Sequence, residues 1–136
     1  MSLIPRDVHP SWNKFLTDDI ISELDDIETK IGNNINPAHD NVLRFMKCDL
    51  YDIKVVILGQ DPYPEKGRAT GRAFEVGDLL SWNQTFRQVS LKNIIRLIYK
   101  NYNGIKEYKY IKKFSEIQIE IKEGKFSILP PDRIFK

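Results

Sequence analysis

The sequence has few of the residues on which disulfide and metal chemistry depend. Its 136 residues include one cysteine, Cys48, and two histidines, His9 and His39. One cysteine excludes an intramolecular disulfide, and this set is too small for the usual Cys/His zinc site. No stretch approaches the roughly 18 apolar residues of a membrane span, and the N-terminus lacks the apolar core of a signal peptide. We therefore expect a cytoplasmic protein with no membrane partner.

Charge is balanced overall but unevenly distributed. The chain has 21 basic and 19 acidic residues, a net charge of +2. Residues 1–50 carry five basic and nine acidic side chains, or −4, whereas residues 51–136 carry sixteen and ten, or +6. Within residues 87–113, eight basic residues and four tyrosines accompany a single acid, Glu107. This region is suited to a polyanion, although a solvated face of a lysine-rich protein is an equal alternative.

Three helices are predicted from caps and apolar spacing. The first is capped by Thr17 and ends at Gly32, with an apolar stripe at helical spacing. A shorter helix follows Asn36-Pro37. The third begins at Ser90 as its N-cap. It carries a cationic ridge at i, i+4 and i+8, which comprises Lys92, Arg96 and Lys100.

Other segments have the pattern of strands. Residues 53–58, IKVVIL, are a short β-branched apolar run that ends at Gly59 and predicts a buried parallel strand. Residues 72–76 offer a second strand, and alternating isoleucines predict a hairpin over residues 117–129. We therefore expect an α/β fold with a central parallel sheet and one domain over residues 1–136.

The segment after the first predicted strand is the candidate site. In an open α/β sheet, ligands bind beyond the carboxyl ends of the strands, where Asp61 lies in the sequence GQDPYP, residues 59–64. Pro62 and Pro64 stiffen this loop, and Tyr63 stands between them. A carboxylate placed here can orient water or stabilise a developing cation. The alternative is that Asp61-Pro62 only begins a turn.

The run VVILGQDPYP, residues 55–64, resembles the signature of family 1 uracil-DNA glycosylases, Gly-Gln-Asp-Pro-Tyr-His after a buried strand. The family continues with Gly-x-Ala-His-Gly-x-Ala-Phe, and residues 67–74 read GRATGRAF. A later Ser-Leu pair followed by a helix corresponds to Ser90-Leu91. The resemblance implies a three-layer α/β glycosylase fold, of which this chain would be the incomplete N-terminal portion.

The resemblance also implies roles for individual residues. Asp61 would position the attacking water and stabilise the cationic sugar, and Gln60 would contact the uracil edge. Tyr63 would exclude the thymine methyl group, and Phe74, by itself more typical of a core residue, would stack on the flipped uracil. Ser90 would hold a phosphate.

The implied reaction is hydrolysis of the bond between uracil and deoxyribose during base excision repair. Uracil-containing DNA is the expected partner of a monomeric enzyme without metal or other cofactor. The ridge of Lys92, Arg96 and Lys100 would add affinity for DNA that falls with salt.

Departures from the family pattern define two alternatives. Pro64 and Thr70 stand where the family has histidines, and residues 81–90 lack the usual prolines. The GQDPYP sequence also resembles the GIDPYP pattern of poxviral glycosylases. The family's Leu-Leu-Leu-Asn and His-Pro-Ser-Pro segments are not found after Ser90. The alternatives are therefore a catalytically inactive DNA-binding protein with a glycosylase fold, or a truncated fragment. His9-Pro10-Ser11 is interpreted as an N-terminal turn, and His39 as a surface residue.

Overall fold

A computed structural model describes residues 2–135, which form helices joined by turns and loops. The α-helices are α1 (Asp18–Ile31), α2 (His39–Val42), α3 (Val89–Tyr102) and α4 (Phe114–Lys122). Short 3-10 helices span Pro10–Trp12, Arg44–Lys47, Leu50–Asp52 and Tyr108–Tyr110. The chain divides into two compact units, one ending at Gly77 and the other beginning at Asp78.

The predicted α/β fold is wrong for the part of the chain that is described, because residues 2–135 contain no strand and therefore no central parallel sheet. Residues 53–58 follow the last 3-10 helix of the first unit as irregular chain. A strand needs a neighbour with which to exchange backbone hydrogen bonds. Residues 53–64 exchange none with any described backbone group. The apolar, β-branched composition of this run was therefore insufficient to predict a strand.

The other two predicted strand regions are also corrected. Residues 72–76 form turns in which Phe74 has a φ of 65°. In place of the hairpin over residues 117–129, α4 continues to Lys122 and Gly124 follows with a φ of 73°. Phe114 and Ile117 are buried at helical spacing, whereas Ile119 is exposed. Alternation over three isoleucines was thus outweighed by the spacing of Phe114, Ile117 and Ile121.

The predicted ends of α1 are confirmed, but its buried stripe is not. Thr17 Oγ1 accepts a hydrogen bond from the Ile20 amide, and Gly32 ends the helix with a φ of 67°. No residue of α1 is buried, and Ile27 and Ile31 are exposed. Its apolar face is therefore only partly covered by described residues.

The core of the first unit surrounds Trp12. The Trp12 ring meets the edges of Phe15 and Phe45 at centroid distances of 6.3 and 5.3 Å. Its indole nitrogen donates to the Cys48 carbonyl at 2.9 Å, so the polar end of this ring is satisfied. Met46 is almost fully buried. These contacts join the N-terminal turn to residues 45–48.

The second unit is built on α3 and α4. Leu91, Ile95 and Tyr99 form the buried face of α3, and Ile117 of α4 is also fully buried. The helix begins one residue before Ser90, with Gln88 as its N-cap, so the predicted cap is wrong by two positions. Aromatic residues complete this core in edge-to-face pairs, Phe86 with Phe114 and Tyr99 with Phe126.

No helix within residues 2–135 is both long and apolar enough to cross a membrane.

Candidate functional site

The two glycosylase-like motifs lie in the first unit, and they approach each other at one point. A Cβ atom built on Gly59 would lie 3.6 Å from the Cβ of Ala73, which is ordinary van der Waals contact. Gly59 opens the first motif and Ala73 precedes the last residue of the second. The beginning of the GQDPYP loop therefore lies close to the end of the GRATGRAF segment.

Asp61 and Gln60 are exposed on this loop. Within residues 2–135, neither side chain makes a hydrogen bond or an ion pair. The Asp61 carboxylate is therefore accessible to water and to a ligand, without a protein cation that would neutralise it. A carboxylate in this state can act as a base or as an electrostatic partner for a cation.

Tyr63 is half-buried and is fixed through its backbone. The Asn36 side-chain amide donates to the Tyr63 carbonyl at 2.5 Å and to the Glu65 carbonyl at 3.4 Å. Burial, and to a smaller extent the charge of Glu65, raises the pKa of the Tyr63 phenol. The phenol therefore stays neutral at physiological pH and presents a ring rather than a charge.

Phe74 is the one described residue other than glycine with a positive φ, 65°. An L-residue reaches this region only at a cost, typically about 1–3 kcal/mol, that its surroundings must offset. Phe74 lies in a turn closed by the Glu75 amide, which donates to the Arg72 carbonyl at 3.3 Å. The half-buried Phe74 ring is thus held by a backbone conformation that the sequence did not indicate.

A buried ion-pair cluster anchors this turn. Glu75 is 4% exposed, and its Oε2 lies 3.1 Å from Arg44 Nη1. Its other oxygen lies 3.5 Å from Arg72 Nη1. Arg44 Nη1 also donates to the Thr70 carbonyl at 3.0 Å. Arg44 and Glu75 therefore tie residues 70–75 to the 3-10 helix Arg44–Lys47.

Sequence inspection missed this cluster. The one available signal was an acidic residue, Glu75, within the apolar string AFEV, where an unpaired charge would be costly to bury. Nothing in the sequence distinguished Arg44. Gly71 supports the same packing, since it has a φ of 81° and a Cβ atom there would collide with the Asn41 carbonyl.

Two observations concern the histidines of this unit. His9 caps the 3-10 helix Pro10–Trp12, where its Nδ1 accepts from the Ser11 amide at 3.3 Å, and the predicted turn is confirmed. His39 is buried, so its predicted surface position is wrong.

Among residues 2–135, no group of three or more His, Cys, Asp or Glu side chains is arranged to hold a metal ion.

The residues predicted from the sequence to contact phosphate and DNA lie in the second unit. Ser90 is exposed in the first turn of α3. Lys92 Nζ lies 5.2 Å from the Phe86 ring centroid and 6.0 Å from that of Phe114. Arg96 donates to the Lys112 carbonyl and to the Tyr108 hydroxyl, both at 3.0 Å. Lys92 and Arg96 therefore already contact other groups of their own unit. Lys100 is half-buried on the same helix.

Within the first unit, Gly59 and Ala73 place the two motifs together, Asp61 remains open, and Phe74 lies in a strained turn. These features accompany a sequence similarity to uracil-DNA glycosylases. The chain is 34% identical over 73 residues to the enzyme of Corynebacterium efficiens, covering 49% of this chain and 30% of that protein. The uracil-DNA glycosylase of Fowlpox virus is 32% identical over 108 residues, 73% of this chain and 45% of the viral protein.

A third relative, the uracil-DNA glycosylase of a Parafrankia species, is 39% identical over 77 residues, 52% of this chain and 34% of that protein. The chain thus spans less than half the length of these curated relatives. Together the matches support the uracil-DNA glycosylase family at modest identity over partial coverage. No family model and no solved structure matches the chain.

Proposed function

We propose that this chain carries the catalytic carboxylate and part of the base pocket of a uracil-DNA glycosylase. In this proposal residues 59–64 are a GQDPYP variant of the family signature, and the chain corresponds to the N-terminal portion of such an enzyme. The substrate is uracil in DNA, and the reaction is hydrolysis of its N-glycosidic bond. The observation that carries the proposal is the similarity to curated glycosylases together with the open Asp61 carboxylate in the signature motif.

The chemistry assigned to Asp61 follows from its environment. As the bond to uracil breaks, positive charge develops on the sugar, and an anion nearby lowers the energy of that state. The same carboxylate can accept a proton from the attacking water. Its lack of a protein cation in the described part of the chain favours both roles. Neither role requires a metal ion.

The base pocket is assigned to three other residues. Gln60 contacts the edge of the flipped base, and the neutral Tyr63 ring excludes the methyl group of thymine. Phe74 stacks on the base, and the left-handed turn fixes its position.

Ser90 and the ridge of Lys92, Arg96 and Lys100 are proposed to contact the phosphate backbone. Since Lys92 and Arg96 already have partners, we expect their contribution to be smaller than their charge alone predicts.

The test is uracil release from a uracil-containing single-stranded oligonucleotide by the full-length gene product. We expect Asp61→Asn to lower the rate about 10²-fold or more, because general-base and charge stabilisation are lost together. Asp52→Asn is the matched control, since Asp52 is an exposed carboxylate nine positions earlier. It should leave the rate within about twofold, as is usual for exposed surface changes.

Two outcomes would contradict the proposal in different ways. An unchanged rate in Asp61→Asn would remove Asp61 from the mechanism. Salt-sensitive DNA binding without any uracil release would instead support the alternative of a catalytically inactive DNA-binding protein.

A further inference from the structure

The 3-10 helix Tyr108–Tyr110 presents two tyrosine rings to solvent. Tyr108 is 57% exposed and Tyr110 is 64% exposed. A tyrosine ring has two apolar faces and a polar tip, and it loses little conformational freedom when it binds a flat ligand. These rings belong to the unit that begins at Asp78, whereas Asp61 belongs to the unit that ends at Gly77.

Arg96 holds this turn against α3. Its Nη1 donates to the Tyr108 hydroxyl at 3.0 Å, and its Nε donates to the Lys112 carbonyl at 3.0 Å. The guanidinium carbon lies 5.2 Å from the Tyr108 ring centroid, within the range of a cation–π contact. Three hydrogen bonds from this one side chain to residues 108–112, two of them to backbone carbonyls, make this turn preorganised.

The sequence segment that contains the turn is rich in basic residues. Residues 87–113 contain eight basic residues and one acid, so this stretch carries a net +7. Lys109 Nζ lies 4.9 Å from the Tyr110 ring centroid and also pairs with Glu107 at 2.8 Å. Lys106 and Lys113 are exposed on either side of the turn. Exposed aromatic rings can stack with bases, and lysines beside them on the same short segment can contact phosphates.

We propose that this turn, residues 107–113 supported by Arg96, binds single-stranded nucleic acid. Unpaired bases stack on Tyr108 and Tyr110, and the phosphates between them meet the neighbouring lysines. A duplex fits this surface less well, because its bases are already stacked and expose only their edges. This surface goes beyond the proposed glycosylase function, since it needs neither uracil nor Asp61.

The experiment uses the full chain and a fluorescent oligothymidine of about 15 nucleotides, close to the site sizes of other single-strand binders. Because thymidine contains no uracil, binding by fluorescence anisotropy is read independently of glycosylase activity. We expect Tyr110→Leu to weaken binding about tenfold, the value of one stacking contact of roughly 1–3 kcal/mol. The double variant Tyr108→Leu/Tyr110→Leu should lose more.

Two control variants separate stacking from other effects. Tyr110→Phe keeps the aromatic face and should bind within about twofold of the unchanged chain. Tyr51→Leu removes a tyrosine that is 76% exposed in the other unit, and it should also have no effect. The Tyr110 side chain makes no hydrogen bond in the described part of the chain, so Tyr110→Leu leaves the Arg96 contacts in place.

The proposal is overturned by any of three results. Unchanged affinity in both leucine variants, with binding that still falls between about 50 and 200 mM salt, would show that charge alone binds the strand. Equal affinity for a duplex of the same length would exclude base stacking. No measurable binding at low salt would remove the surface altogether, whatever the chain does with uracil.

Discussion

Two segments that contain branched apolar side chains have opposite environments. In α3, Leu91 and Ile95 are completely buried in the second unit. In the first unit, the run Val55, Val56, Ile57 and Leu58 is exposed, with Leu58 at 89%. The helix satisfies its own backbone and needs a partner only for one face, which α4 provides. The run needs partners for its backbone as well as for both faces, and residues 2–135 provide neither.

The largest expected effect in this comparison concerns buried volume. Ile95→Ala should lower the free energy of unfolding by about 3–4 kcal/mol, since it removes a fully buried side chain and leaves a cavity. Ile57→Ala makes the same chemical change in the exposed run and should cost about 1 kcal/mol or less. Urea denaturation followed by circular dichroism measures both. Equal losses would mean that residues 55–58 are covered in solution.

The next largest expected effect is the loss of stability when a carboxylate of the first unit is removed, compared at a buried and at an exposed position. Glu75→Gln should destabilise the protein by about 2–3 kcal/mol, because it removes the anion that compensates two largely buried arginines. Glu65→Gln removes the carboxylate of an exposed pair with Arg68 and should cost less than about 1 kcal/mol. Urea denaturation again supplies the comparison. A loss for Glu75→Gln no larger than that for Glu65→Gln would show that the cluster does not anchor the turn.

These comparisons explain which features were predictable from sequence. The ends of α1 were predicted because Thr17 and Gly32 act locally, within one helical turn. The strands were not, because whether residues 53–58 pair depends on chain segments far away in sequence. The prediction that the apolar stripe of α1 is buried was wrong for the same reason. A periodic apolar face indicates helix formation but does not specify what covers that face.

The candidate site was predicted through its motifs and not through its geometry. The GQDPYP loop and the Gly67–Phe74 segment could be located because their residue types and order resemble a known family. The Arg44–Glu75 pair could not, since its two side chains are about 30 residues apart in sequence. The left-handed conformation of Phe74 could not either, because no residue type in the segment indicates it. Arg96 was predicted as part of a cationic ridge for DNA, and its hydrogen bond to the Tyr108 hydroxyl, which joins α3 to the following turn, was not predicted.

The smallest expected effect is a pH dependence in the second unit. Tyr99 is buried and donates to Glu120 at 2.9 Å. Burial, followed by the Glu120 hydrogen bond, raises the pKa of the Tyr99 phenol, and the hydrogen bond with Glu120 raises the pKa of Lys112. A group whose pKa is raised by folding stabilises the folded state below its unfolded pKa, and this contribution is lost as the pH rises.

We therefore expect the melting temperature to fall as the pH rises above about 10, the ordinary pKa of tyrosine and lysine side chains. Tyr99→Phe should reduce this fall, because the buried ring can no longer ionise, while the part due to Lys112 remains. Tyr51→Phe, which changes an exposed tyrosine of the first unit, is the control and should leave the profile unchanged. If Tyr99→Phe melts with the same alkaline profile as the unchanged chain, ionisation of Tyr99 does not limit the stability of the α3–α4 core.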